Sequence, residues 1–231
     1  MLKQHKDNEG KSANGGLVRD VILGGQDGLV NVLGILLGVA KATNDNKVVI
    51  IAGLAATFAE SISMAAVAYT STKAENEFYQ SELEREKREM REVPLIETEE
   101  IRQIYFDKGL RGKKLETVVK AITSNDKAWL DTMMIEELGL SKERDDPVRS
   151  SIIVGLSALG GSIIPLAPFL LLPAANAMAI TLAISAGVLF AAGAIKAQFT
   201  SQDKLRSGLE LAAIGMLSAI AGYAVGALMG A

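Results

Sequence analysis

The chain has 231 residues, with 24 Lys and Arg against 27 Asp and Glu, and it contains no cysteine. The near-balanced charge gives no reason to expect a nucleic-acid partner, and the missing thiols exclude disulfide, zinc-thiolate and iron–sulfur chemistry. Nearly half of the residues are apolar, yet most charges lie no later than Arg19 or between Lys73 and Arg149. That partition predicts an all-α integral membrane protein with one soluble insertion.

Residues 1–16 form a polar tail that holds the only histidine, His5. The first apolar run lacks a small-residue cleavage site and does not read as a signal peptide. The first span is expected over Leu17–Ala42 and carries Asp20, Gln26, Asp27 and Asn31. The turn KATNDNK (41–47) follows, with Asn and Asp supplying its chemistry. The second span is expected from Val48 to Ser71, but neither Pro nor a late Gly stops its helix before Val93. A single helix of about 47 residues would be roughly 70 Å long, about twice the hydrocarbon thickness of a bilayer. Half of it would sit in lipid and half in water.

Val93-Pro94 breaks this helix. Within the insertion, expected over 73–148, three helices follow: Glu97–Phe106 with Thr98 as a cap and Gly109 as its stop, Lys113–Ile122, and Asp126–Leu138. Gly139 and then Asp145-Asp146-Pro147 close the domain. The remaining spans are expected over Ser150–Leu172, Ala174–Phe199 and Leu205–Met229, completing membrane segments 17–72 and 149–231. Gly160, Gly161, Pro165 and Pro168 inside the third span are tolerable where neighbouring helices satisfy the freed backbone groups. Gly155, Gly187, Gly193, Gly208, Gly215, Gly222 and Gly226 recur at spacings that permit close helix approach. The GxxxG of Gly222 and Gly226 is a common signal. Lys3, Lys6, Lys11 and Arg19 precede the first span, and Lys196, Lys204 and Arg206 lie between the last two. Arg85, Lys87, Arg88 and Arg149 flank the insertion, and the loop LLPAAN (171–176) has no basic residue. The positive-inside rule then puts the N-terminus and the insertion in the cytoplasm and the C-terminus outside. Lys41 and Lys47, balanced by Asp45, are a small violation.

A carboxylate inside a span costs a few kcal/mol on insertion scales and usually faces a cavity or the bundle interior, which singles out Asp27 with Asn31 one turn on. The plainer reading starts the span later and leaves Asp27 interfacial; Asp20 is read as interfacial. Glu60 and Met64 lie four apart on one face, with Ser61 and Ser63 beside them. A carboxylate next to a thioether suits a borderline cation such as Fe²⁺ better than Ca²⁺ or Mg²⁺, whereas Met64 alone reads as packing. In the insertion, Glu86 and Glu89, then Glu97 and Glu100, are spaced three apart, and Met133, Met134 and Glu137 share a third helix. Spacing alone favours solvated helices with pairs such as Glu84–Arg88.

The order of two spans, an acidic helical insertion and three more spans resembles the vacuolar iron transporter (VIT) family over Leu17–Ala231. The likeness rests on DGLVNVLGI (27–35), SISMAAVAY (61–69), REKREMREVPLIETEEI (85–101), AWLDTMMIEELGL (128–140) and GGSIIPLAPF (160–169). The resemblance implies a homodimer of five-span subunits, a transporter and not an enzyme, that exports Fe²⁺ from the cytosol in exchange for protons. It further implies soluble metal ligands Glu86, Glu89, Glu97, Glu100, Met133, Met134 and Glu137, and Asp27 and Met64 in the membrane. One position departs from the pattern: where the family commonly has Glu two turns before the span-2 Met, this chain has Ala56, and its acid is Glu60.

The same scaffold suits Mn²⁺, and Mn²⁺ or Zn²⁺ would also fit the soluble donors. A membrane-anchored iron-binding or storage protein is a rival, but the Glu-x-x-His pairs of ferritin-like bundles need histidines that the insertion lacks. A purely structural protein would not carry Asp27 and Glu60 in apolar spans. With no organellar signal visible, the expected location is the plasma membrane of a prokaryote.

Overall fold

The structure is a computed structural model, and it describes residues 15–141, 145–200 and 202–230. Most of the expected polar tail, His5 included, lies outside the described residues, and Gly15 and Gly16 already belong to the first helix. The helices are α1 (Gly15–Thr43), α2 (Asn46–Glu92), α3 (Pro94–Asp107), α4 (Gly112–Thr123), α5 (Asp126–Thr132) with a π-helical turn (Met133–Glu137), α6 (Pro147–Leu171), α7 (Ala174–Thr200) and α8 (Lys204–Met229). The expected long helix is therefore unbroken. Five helices, α1, α2, α6, α7 and α8, are long and apolar enough to cross a membrane. The chain divides into two units, one running to Thr70 and resuming at Pro147, the other spanning Ser71–Asp146.

In the apolar unit α1 is the central helix, packed against α6, α7 and α8. Glycines make this packing close. A Cβ on Gly161 would stand 2.0 Å from the Gly25 carbonyl oxygen, and on Gly222 and Gly226 it would stand 2.0 Å from the Gly34 and Gly38 carbonyl oxygens. The GxxxG of the last helix is thus a docking surface for α1, and its partner is a second pair of glycines four apart. A buried cluster of Val32, Leu36, Val49, Leu166 and Phe169 fills the space beside this seam.

Proline chemistry in α6 is compensated from outside the helix. The Phe169 carbonyl would ordinarily accept from residue 173, which is a proline without an N–H. Asn46 Nδ2 donates to it instead, at 2.8 Å. Thr181 Oγ1 donates to the Pro165 carbonyl at 2.8 Å and so ties α7 to α6. At the other end of the helix, Asp20 is buried and accepts from Ser150 Oγ at 2.7 Å. The carboxylate read as interfacial ties α1 to α6.

The second unit, the insertion expected to be soluble, is built on the polar half of α2 and on α3, α4 and α5. Its core is Ile101, Leu115, Val119, Trp129 and Met133. Helix α3 starts three residues earlier than expected, with Pro94 in its first turn, where the missing N–H costs nothing. Thr98 is accordingly not a cap; it lies inside the helix and its Oγ1 donates to the Pro94 carbonyl. Gly109 and Gly139 take φ of +97° and +66°, so the two expected stops are left-handed turns. Asn125 caps α5, accepting from the N–H groups of Lys127 and Ala128. The expected Asp126–Leu138 helix changes pitch at Met133, where Leu138 N donates to Met133 O, five residues back.

Candidate metal sites

Two groups of donors emerge, one in each unit. In the apolar unit, Asp27 and Asn31 stand one turn apart on α1, and Asn31 Nδ2 donates to Asp27 Oδ2 at 3.3 Å. Glu60 of α2 stands near enough to both side chains for them to act on its carboxylate. Two helices thus bring two carboxylates and an amide together in apolar surroundings. Met64 follows Glu60 by one turn and is half-buried. Ala56, the position of the departure from the family pattern, packs against the apolar cluster around Val32 and Leu36. Of the two candidate serines, Ser61 is buried and gives its hydroxyl to the Thr57 carbonyl at 2.7 Å, and Ser63 is exposed. Thr57 was not singled out from the sequence. It is buried and its hydroxyl has no partner, and its position three residues before Glu60 was the available signal.

In the soluble unit, Glu86 and Glu97 are 1% and 3% exposed. One carboxylate oxygen of each, Glu86 Oε2 and Glu97 Oε2, is buried without a hydrogen-bond partner. A buried carboxylate oxygen without a donor is costly, and a cation is the usual remedy. The solvated-helix reading does not account for these two residues. The Glu97 carboxyl is pushed up to about 7, first by burial and then by the charges of Glu100, Glu86, Glu89 and Glu137. Glu137 is also pushed up to about 7, by burial first and then by Glu100 and Glu86, against the pull of Arg85. Glu137 keeps more of its surface in water than Glu97, so solvent screens its shift more strongly. The other four expected carboxylates therefore all act on Glu97.

The methionines divide. Met133 belongs to the apolar core, which is the packing reading. Met134 is equally buried but stands outside that cluster. Both lie on the π-helical turn with Glu137, and such turns are frequent at functional sites. Among the described residues, no three His, Cys, Asp or Glu side chains stand close enough to hold an ion as they are placed. The carboxylates form an electrostatic cluster and not a closed coordination shell.

Arg85 was missed as part of this group. Its guanidinium reaches Glu82 at 2.7 Å, Glu86 at 3.2 Å and Glu89 at 3.5 Å, so a cation entering the cluster competes with it. The i,i+4 spacing of Arg85 and Glu89 was the available signal. Glu84, expected to pair with Arg88, pairs with Lys87 at 2.8 Å.

Comparison with known proteins identifies the family. The model of the VIT family matches residues 18–227. "Vacuolar iron transporter 1" of Tulipa gesneriana is 34% identical over 227 residues, covering 97% of this chain and 91% of that protein. "Vacuolar iron transporter 1" of Arabidopsis thaliana is 36% identical over 213 residues, covering 90% and 84%. The "Vacuolar iron transporter" of Toxoplasma gondii is 29% identical over 240 residues, covering 99% and 79%. Taken with five membrane-length apolar helices, these matches make the chain an integral membrane protein, and it belongs to the VIT family.

Proposed function

We propose that this chain is a transporter that moves Fe²⁺ out of the cytosol in exchange for protons. The observation that carries the reading is the convergence of Asp27, Asn31 and Glu60 from two apolar helices. Two carboxylates that act on one another repel unless a cation or a proton lies between them. Alternation between those two occupants is the exchange an antiporter needs. Met64 adds a thioether that favours a borderline cation over Mg²⁺ or Ca²⁺. Glu60 takes over the role of the acid missing at Ala56: it lies close enough to Asp27 to be acted on by it, whereas Ala56 faces apolar packing.

In this account the soluble cluster gathers the ion. Glu86, Glu89, Glu97, Glu100 and Glu137 supply negative charge, and Met133 and Met134 bias the choice of metal. Metal passes from there to the membrane carboxylates, and proton uptake on Asp27 or Glu60 releases it. The basic residues flanking the spans favour a cytoplasmic N-terminus and insertion. Two copies of the chain form the working unit, set in the plasma membrane of a prokaryote. The test is metal flux in Asp27→Asn and Glu60→Gln variants reconstituted at wild-type density. Each should lose most of its flux while keeping its fold. Wild-type flux in both variants would remove the membrane site.

A further inference from the structure

At the end of the apolar unit that carries the start of α1 and the end of α7, a notch of about 320 Å³ opens between the two helices. Its wall has two kinds of surface. Val18 and Leu23 of α1 and Phe199 of α7 are apolar, and Leu23 and Phe199 are each 52% exposed. Arg19 and Lys196 are the charged part, one from each helix. The buried Asp20 carboxylate holds the Arg19 guanidinium at 3.1 Å while leaving its side chain 60% exposed. Lys196 is half-buried, and among the described residues no carboxylate pairs with it. Gln26 lies deeper in the same notch, seven residues beyond Arg19 and so about 10 Å along the helix.

We propose that this notch binds one anionic glycerophospholipid, with its headgroup phosphate between Arg19 and Lys196. The order of the groups matches the order of groups along such a lipid. Two cations stand at the span ends, where headgroups lie. An amide donor stands deeper on the same wall, on the glycerol side of the cations. Apolar side chains line the path of an acyl chain. A basic pocket between membrane helices is the usual form of a headgroup site, and Lys and Arg near span ends keep their charges at the interface while their stems lie on apolar surface. A soluble anion alone would leave Val18, Leu23 and Phe199 unused, and this favours the lipid over free phosphate.

The test is native mass spectrometry of the full chain in detergent, titrated with phosphatidylglycerol or phosphatidylcholine. The wild type should retain one phosphatidylglycerol in preference to phosphatidylcholine. Lys196→Gln should weaken phosphatidylglycerol retention about fivefold, the effect of one basic residue near an anionic lipid, and should leave phosphatidylcholine unchanged. Phe199→Glu, which puts a carboxylate into the notch, should weaken it further at an unchanged melting temperature. Lys204→Gln, a basic residue that does not line the notch, should behave as wild type. Equal retention of the two lipids, an unaltered Lys196→Gln variant, or an equal loss in Lys204→Gln would overturn the proposal. Displacement of the lipid by millimolar inorganic phosphate would assign the site to a free anion and overturn it too.

Discussion

Raising the pH should tighten metal binding by the soluble cluster, because protons and metal compete for the same carboxylates. Glu97 and Glu137 both titrate near 7. About one in eleven of such groups is ionised at pH 6, and about ten in eleven at pH 8. An ion that needs Glu97 ionised therefore gains about tenfold in affinity across that interval. Glu137, more open to water, adds at most about another tenfold, so the total lies between about 10- and 100-fold. The assay is Mn²⁺ binding to the full chain in detergent, followed by the resonance signal of free Mn²⁺ at pH 6, 7 and 8. Glu97→Gln should bind more weakly at pH 8 and lose about tenfold of the pH response. An affinity that moves less than about threefold between pH 6 and 8, or a Glu97→Gln variant with the wild-type slope, would refute the reasoning.

The same shifts set a stability trend. Carboxyls raised to about 7 in the fold, against about 4.3 in an unfolded chain, stabilise fully below pH 4.3 and lose that contribution as pH rises through 7. The soluble unit in chelator should melt lower as pH goes from about 5 to 7 and level off above, and Mn²⁺ should reverse the loss at pH 8; a melting temperature that rises over this range contradicts it. Gly226→Val puts side-chain atoms where a Cβ alone stands 2.0 Å from the Gly38 carbonyl oxygen. It should destabilise by about 1–3 kcal/mol, measurable as a lower melting temperature in detergent, whereas Gly187→Ala meets nothing within 4 Å and should be mild. Asn46→Ala removes the donor to the Phe169 carbonyl and should cost about 1–3 kcal/mol, read in the same assay. Met134→Leu should keep the fold and reduce the preference of the soluble cluster for Fe²⁺ over Mg²⁺, read by competition binding.

What the sequence made legible was whatever depends on periodicity and on interruption. An apolar run that continued without Pro or Gly into a charged one gave the long α2, and Val93-Pro94 gave its end. Helix α3 was misplaced at its start because Pro94 was read as a breaker alone, when proline is equally at home in a first turn. The π-helical turn at Met133 was invisible, since no residue pattern distinguishes it from an ordinary helix. The membrane group was legible because Asp27 and Glu60 are conspicuous in apolar runs; that the two lie near one another depends on tertiary packing. The soluble cluster was the reverse case. Spacing alone favoured solvated helices, and only burial of Glu86 and Glu97 with unpartnered oxygens separates them from a surface charge run. Arg85 was read as a topology charge, and its place among Glu82, Glu86 and Glu89 follows from side-chain reach.

The central claim is exchange of Fe²⁺ for protons, and the most direct measurement is metal uptake into proteoliposomes holding the full chain, with internal pH recorded and Fe²⁺, Mn²⁺ and Zn²⁺ compared. Proton counterflow that depends on Fe²⁺ and exceeds that driven by the other two ions is the expected result. Metal binding without flux, or flux of Fe²⁺ with no accompanying change in pH, would contradict it.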